Sequence, residues 1–287
     1  MATKRIVVAG GSGFLGSRIC KAAVARGWSV TSLSRSGEPR WENLIDSPRR
    51  PQWANSVEWA KADIVRPDTY KPFLKDANAV VHTMGILLEA DYKGVVSGRE
   101  SIISGLQRAF GPSKLGSQDP LKRKEGEPLK PQESDGQWTY EFMNRDSAIA
   151  LAQETSREHV PTFVYISAAA GAPILPSRYI STKREAETLI ASSLPDLRSI
   201  FVRPGFMYDS NRKFTLPIAL GGIVGSELNT LLGGRLGFLG TMAQKPLKVD
   251  LVGEAVVEAI SDDAMSGALN IQKIEALATR AWRKSML

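Results

Sequence analysis

The chain has 287 residues, a formal net charge of +7, 43% hydrophobic and 23% charged residues, which suits one α/β domain or such a domain with a smaller appendage. Its single cysteine, Cys20, excludes an internal disulfide, and His82 and His159, far apart and without cysteine companions, argue against a zinc site. No apolar run approaches the ~20 residues that span a bilayer, and the positive charge comes without a nucleic-acid motif, so no nucleic-acid partner is expected.

A β-branched run at 6–9 stops at Gly10-Gly11-Ser12-Gly13-Phe14-Leu15-Gly16, and a helical pattern follows over 14–26. Gly10 permits a tight turn, Gly13 removes a side chain that would strike a phosphate, and Gly16 lets the helix pack near the strand. The helix N-terminus then offers N–H groups to a pyrophosphate. A glycine repeat alone also serves an ordinary strand–helix turn; the strand before it and the helix after it point to a dinucleotide site. Cys20 falls on that helix as a small core residue.

The second strand, over 29–33, ends in Ser34-Arg35-Ser36. NAD-selective sites place an acid here for the ribose 2′-hydroxyl. A guanidinium flanked by two hydroxyls suits a 2′-phosphate instead, so NADP(H) is the expected cofactor; an ordinary surface role for Arg35 is the alternative. A third strand (57–60) leads to Asp63-Ile64, a helix near 69–75, a fourth strand (79–83) and a turn at Gly85. Residues 86–138 break the rhythm with one helix at 99–110, a basic stretch and prolines at 120, 128 and 131; they read as a partly disordered insertion near the crevice mouth.

Regular alternation resumes with a helix over 141–159, a strand over 162–167, a helix over 179–193 and a strand over 198–202. This predicts a Rossmann-type doubly wound parallel sheet. The expected division is a dinucleotide-binding domain at 1–203 and a small C-terminal lobe at 204–287, packed as one unit with it. The lobe carries a helix at 250–260. Its basic tail, 280–287 with Trp282, reads as a fraying terminal helix or as a contact for an acidic membrane or a partner. No secretory or transit segment is recognised before the first strand.

Tyr179 and Lys183 are four residues apart, on one face of a helix. A nearby ammonium stabilises a phenolate, which would bring Tyr179 toward the working range of a general acid/base, and Lys183 can also hold a nicotinamide ribose. Ser167, twelve residues before Tyr179, carries a hydroxyl suited to polarising a carbonyl. A chance pair on an exposed helix is the plain alternative.

The glycine pattern, Asp63-Ile64, Gly85, Ser167…Tyr179-x-x-x-Lys183 and Arg203-Pro204-Gly205 occur in the order seen in the short-chain dehydrogenase/reductases, which the chain resembles over essentially its whole length. It looks most like the extended, atypical, quinone-linked branch, which includes the NADPH-binding accessory subunit of respiratory complex I. The stretches 82–89, 179–187 and 202–207 look particularly like a fungal mitochondrial protein associated with coenzyme Q biosynthesis. The resemblance implies cofactor contacts at Gly10, Ser12, Gly13, Phe14, Leu15, Gly16, Ser34, Arg35, Ser36, Asp63, Ile64, Gly85, Tyr179, Lys183, Pro204 and Gly205, with Ser167, Tyr179 and Lys183 catalytic. Asp63 resembles the family's adenine-contacting acid, with helix capping before Pro67 as the other role. Asn144 is the nearest match to the family's active-site asparagine.

The resemblance further implies a nicotinamide dinucleotide, NADP(H), and a quinone or prenylated small molecule as ligands. It implies a matrix-side position at the mitochondrial inner membrane, with peripheral membrane contact and coenzyme Q biosynthesis proteins as partners. Both a redox enzyme and a non-catalytic, cofactor-loaded assembly subunit fit. A sugar-nucleotide epimerase or dehydratase shares the motifs, but Arg35 argues against the tightly held NAD of such enzymes.

Overall fold

The central strands read as largely apolar runs because both of their faces are buried. In β1 (Arg5–Ala9), Ile6 and Val8 enter one hydrophobic layer while Val7 and Ala9 enter the other. The computed structural model describes residues 3–45, 47, 49–85, 119–130, 138–169, 177–209 and 246–286. Its other strands are β2 (Ser29–Ser34), β3 (Val57–Lys61), β4 (Ala79–His82), β5 (Thr162–Ile166), β6 (Arg198–Val202), β7 (Met207–Tyr208), β8 (Leu247–Lys248) and β9 (Gly267–Leu269). The helices are α1 (Phe14–Ala25), α2 (Glu42–Ile45), α3 (Pro67–Leu74), α4 (Ser147–Arg157), α5 (Ser177–Ser193), α6 (Val249–Ser261) and α7 (Ile271–Ser285).

Seven strands form one all-parallel sheet in the order β3-β2-β1-β4-β5-β6-β9, and β7 pairs with β8 apart from it. The chain winds outward from β1 in one direction, then returns to β4 and winds the other way. The C-terminal ends of β1 and β4 therefore flank the switch point, where doubly wound sheets open a ligand crevice. One layer packs α1, α6 and α7 on the sheet through Ile19, Val252, Val256, Ile274 and Leu277. The other packs α3, α4 and α5 through Tyr70, Leu74, Ile149, Leu151 and Ile190.

The six expected strands all form. The helix expected over 141–159 begins as a π-helix, Glu141–Asp146, and continues as α4. It ends before His159, whose φ of 56° carries the chain into the left-handed region ahead of Pro161. The segment after 204 supplies β9 and two helices, so the hydrophobic layer on the α1 side runs continuously across residue 203. The tail belongs to α7, a longer amphipathic helix capped by Asn270, whose side chain accepts from the Lys273 N–H at 2.9 Å. Between β2 and β3, Trp41 packs edge-on against both Trp53 and Trp59 in a small satellite core. The helix expected at 99–110 lies outside the described residues.

Within the expected insertion, residues 119–130 pack on the body of the fold. Leu129 is buried and its N–H donates to the Val65 carbonyl at 2.8 Å. Arg123, whose side chain is buried, donates to Glu154 of α4 at 2.8 Å.

Candidate functional site

The glycine loop joins β1 to α1 at the switch point. Gly10 has a φ of 85°, and a Cβ there would lie 2.5 Å from Thr83 Oγ1, so both its conformation and its surroundings call for glycine. A Cβ on Gly16 would overlap the Gly10 carbonyl, which explains the buried helix–strand approach. Gly13, exposed and extended, is the N-cap of α1 without a side-chain acceptor, leaving the helix terminus uncovered by any side chain of its own cap. Ser12 and Phe14 are half-buried beside it, and Leu15 is buried.

A pocket lined by Ala9, Leu33, Ser34, Ala62, Ile64, Tyr70 and Met84 opens between the ends of β1, β2, β3 and β4. Its lining is mostly apolar, with the Ser34 hydroxyl at the rim. Ser34 donates its hydroxyl to the Gly37 carbonyl at 2.7 Å, while Arg35 and Ser36 are exposed. The Arg35 guanidinium lies 4.5 Å from the centre of the Trp138 ring. Asp63, half-buried, accepts from the Val65 N–H at 3.3 Å, and its own N–H donates to Thr69 Oγ1 at 2.9 Å. Its side chain thus shapes the turn into α3, whose N-cap is Arg66, next to the pocket wall at Ile64.

At the other end of the crevice, α5 carries Tyr179 and Lys183 on one face. Lys183 Nζ donates to the Ile166 carbonyl at 3.1 Å, lies 3.5 Å from the Tyr165 hydroxyl and sits 5.7 Å from the centre of the Tyr179 ring. The Tyr165 hydroxyl donates to the Asn144 main-chain carbonyl in the π-helix. Gly85 faces this group: a Cβ there would lie 2.9 Å from Asn144 Oδ1 and 3.6 Å from Lys183 Nζ. Lys183, Asn144 and Gly85, far apart in sequence, thus meet beyond the end of β4. The Tyr179 hydroxyl has no hydrogen-bond partner among the described residues, and its ring packs edge-on against Tyr140 at 5.9 Å.

The electrostatics differ from the sequence expectation. Burial lowers the Lys183 ammonium to about 7, with Glu187 working against that shift. Burial also raises the Tyr179 phenol to about 12. An amine that is partly neutral and not bonded to the phenol does not depress it, so the expected lowering of Tyr179 is absent from this geometry. Ser167 is buried and its hydroxyl accepts from Arg184 Nη1 at 2.9 Å. Arg184 also donates to the Ala168 carbonyl at 2.7 Å and to Glu187 at 2.7 Å, and Glu187 pairs with Arg203. Pro204 is buried beside this network, its carbonyl accepting from the Ala169 N–H at 2.8 Å, and Gly205 follows half-buried.

Sequence reasoning gave no site role to Tyr165, His82 or Arg184. His82 is fully buried next to Tyr165, its Nε2 lies 2.9 Å from Ser147 Oγ, and burial lowers the ring to about 3. Ser147 donates to the Met143 carbonyl at 2.8 Å, so His82 is the donor in its bond with Ser147. The strand-end position of His82 and Tyr165, paired in register across β4 and β5, is the signal that could have marked them.

A parallel sheet reversing at a glycine loop, with Tyr179 and Lys183 on the helix beyond β5, defines a Rossmann protein of the short-chain dehydrogenase/reductase class. Residues 6–91 match the NAD dependent epimerase/dehydratase family. The MIOREX complex component 2 of Saccharomyces cerevisiae is 34% identical across 94% of this chain and 98% of its own length, and the chain belongs to this epimerase and short-chain dehydrogenase/reductase family. Among solved structures, a 3-oxoacyl-[acyl-carrier protein] reductase from Brucella melitensis aligns over 93% of this chain and 94% of its own, with a TM-score of 0.56 at 16% identity. A UDP-glucuronic acid 4-epimerase from Bacillus cereus in complex with NAD aligns over 93% of this chain and 78% of its own, with a TM-score of 0.52 at 17% identity. These two share the fold. The family is one that depends on nicotinamide dinucleotide, and the glycine loop lies inside the matched residues.

Proposed function

We propose that the protein is an NADP(H)-binding short-chain dehydrogenase/reductase that transfers hydride between the nicotinamide and a carbonyl or quinone-type carbon, within mitochondrial coenzyme Q biosynthesis. The observation that carries the redox reading is the Tyr179 hydroxyl, unpartnered among the described residues and set on the same helix face as a buried Lys183. The 2′-phosphate preference is supported by Arg35 at the end of β2, where an NAD site would carry an acid. The coenzyme Q setting and mitochondrial location rest on the resemblance in stretches 82–89, 179–187 and 202–207.

When bound, the nicotinamide supplies or accepts the hydride. Tyr179 gives its phenolic proton to the carbonyl oxygen as that oxygen gains charge, and takes it back in the reverse direction. Lys183 bonds the ribose and, once protonated, stabilises the phenolate. The Gly10–Gly16 loop would hold the pyrophosphate, with the adenine on the side of Ile64 and Leu33. Ser167, whose oxygen accepts from Arg184, keeps its O–H to donate to the substrate oxygen. Tyr179→Phe is expected to lower kcat by roughly 10²–10⁴-fold with little change in cofactor affinity. An unchanged kcat removes the tyrosine from the mechanism.

A second reading is a cofactor-loaded assembly subunit. It is favoured by the Tyr179 phenol, which burial raises to about 12, and by the complex membership stated in the yeast relative's name. Here the nucleotide acts by binding only the folded state. Gly13→Asp then breaks assembly of the complex while Tyr179→Phe leaves it intact.

A further inference from the structure

We propose that Trp138 is a positioning residue for recognition of the adenosine 2′-phosphate, holding the Arg35 guanidinium ready at the mouth of the adenine pocket. This rests on the NADP(H) reading given above and adds a residue to it.

Arg35 directly follows Ser34, which lines the pocket. Its side chain is exposed, and an arginine there would ordinarily sample many rotamers at a cost to any ligand that must fix it. Here the guanidinium lies 4.5 Å from the centre of the Trp138 ring, within the range of a cation–π contact. The indole is itself anchored: Trp138 is half-buried and packs on the same hydrophobic layer as Leu33, Ile64 and Met84. The platform is therefore fixed by the core, and the arginine is fixed by the platform.

The contact is made through the guanidinium carbon over the ring, which leaves the N–H groups available to an acceptor. Among the described residues, no carboxylate or carbonyl accepts from Arg35. Nearby Glu38 is engaged by Arg50 and by the Trp41 indole N–H at 3.0 Å, and Asp63 is turned to the Val65 N–H. A cation held against a ring with its donors open among the described residues, beside an apolar pocket at the strand ends, matches a phosphate monoester on the ribose. Trp138 does not touch the phosphate; it acts through Arg35.

The test uses 2′,5′-ADP and 5′-AMP, which differ in the phosphate at issue, titrated calorimetrically into the full chain and three variants. The wild type is expected to prefer 2′,5′-ADP by roughly tenfold or more, and Arg35→Ala to lose that preference. Trp138→Leu keeps apolar packing but lacks the ring, and should reduce the preference by roughly two- to fivefold. Trp138→Phe, which restores a π face, should keep it near the wild-type value. A wild-type preference in Trp138→Leu, or an equal loss in Trp138→Phe and Trp138→Leu, overturns the role of Trp138 while leaving NADP(H) binding intact. Equal affinity of the wild type for the two nucleotides overturns the NADP(H) reading and this inference together.

Discussion

At the residue scale, the glycine loop shows how a spacing becomes a constraint. Gly16 is not needed for its own φ but because any Cβ would overlap the Gly10 carbonyl. Gly16→Ala is expected to destabilise the fold by ~2 kcal/mol or more through overpacking, read as a lower denaturation midpoint, and to weaken nucleotide binding with it. Lys183 behaves in the opposite sense to a surface lysine. It titrates near 7 in the fold and near 10.5 when exposed, so the unfolded chain binds more protons between those values. Its contribution to stability therefore rises with pH across that window and is lost as pH falls toward 7, with a slope of up to ~1.4 kcal/mol per pH unit. Denaturation of Lys183→Met against the wild type between pH 7 and 10 should show this slope vanish. His82 acts likewise at lower pH: buried neutral at about 3 against an ordinary 6.5, it costs stability as acid is added below 6.5.

At the element scale, the strands and the helices beside them were legible because period and length agree with their burial. The run at 6–9 is apolar at every position because both faces are covered, and the glycines that follow leave one way to turn. What escaped the sequence is short or depends on partners far away. β9 has three residues and begins with Gly267 in a left-handed conformation, so no propensity marks it; it exists because β6 offers an edge. The π-helix at Glu141–Asp146 depends on tertiary neighbours, among them the Tyr165 hydroxyl on the Asn144 carbonyl. In the site, the Tyr179/Lys183 spacing was readable, but the capture of Ser167 by Arg184 was not, because it is a side-chain choice made between β5 and α5. The anchoring of 119–130 belongs to this scale too. The Arg123 and Glu154 side chains are both buried, and Glu154 is shared with Arg157 at 2.7 Å. Arg123→Met should cost about 3 kcal/mol by stranding part of the Glu154 charge, and limited proteolysis should then cut near 119–130 faster than in the wild type.

At the scale of the whole molecule, one sheet carries two ends of one crevice. The β1–β2–β3 side holds the apolar pocket and Arg35, and the β4–β5 side holds Tyr179, Lys183, Asn144 and Gly85. A dinucleotide is a ligand with two such ends joined by a pyrophosphate, and the glycine loop lies at the switch point between them. The central claim is that this crevice takes NADP(H), and a thermal-shift titration with NADPH, NADP, NADH and NAD, on the wild type and on Arg35→Ala, tests it most directly. The account predicts that saturating NADPH or NADP raises the wild-type Tm by roughly 5–10 °C, well beyond NADH or NAD, and that the difference disappears in Arg35→Ala. Equal or greater stabilisation by NADH and NAD, or none by any of the four, would contradict it.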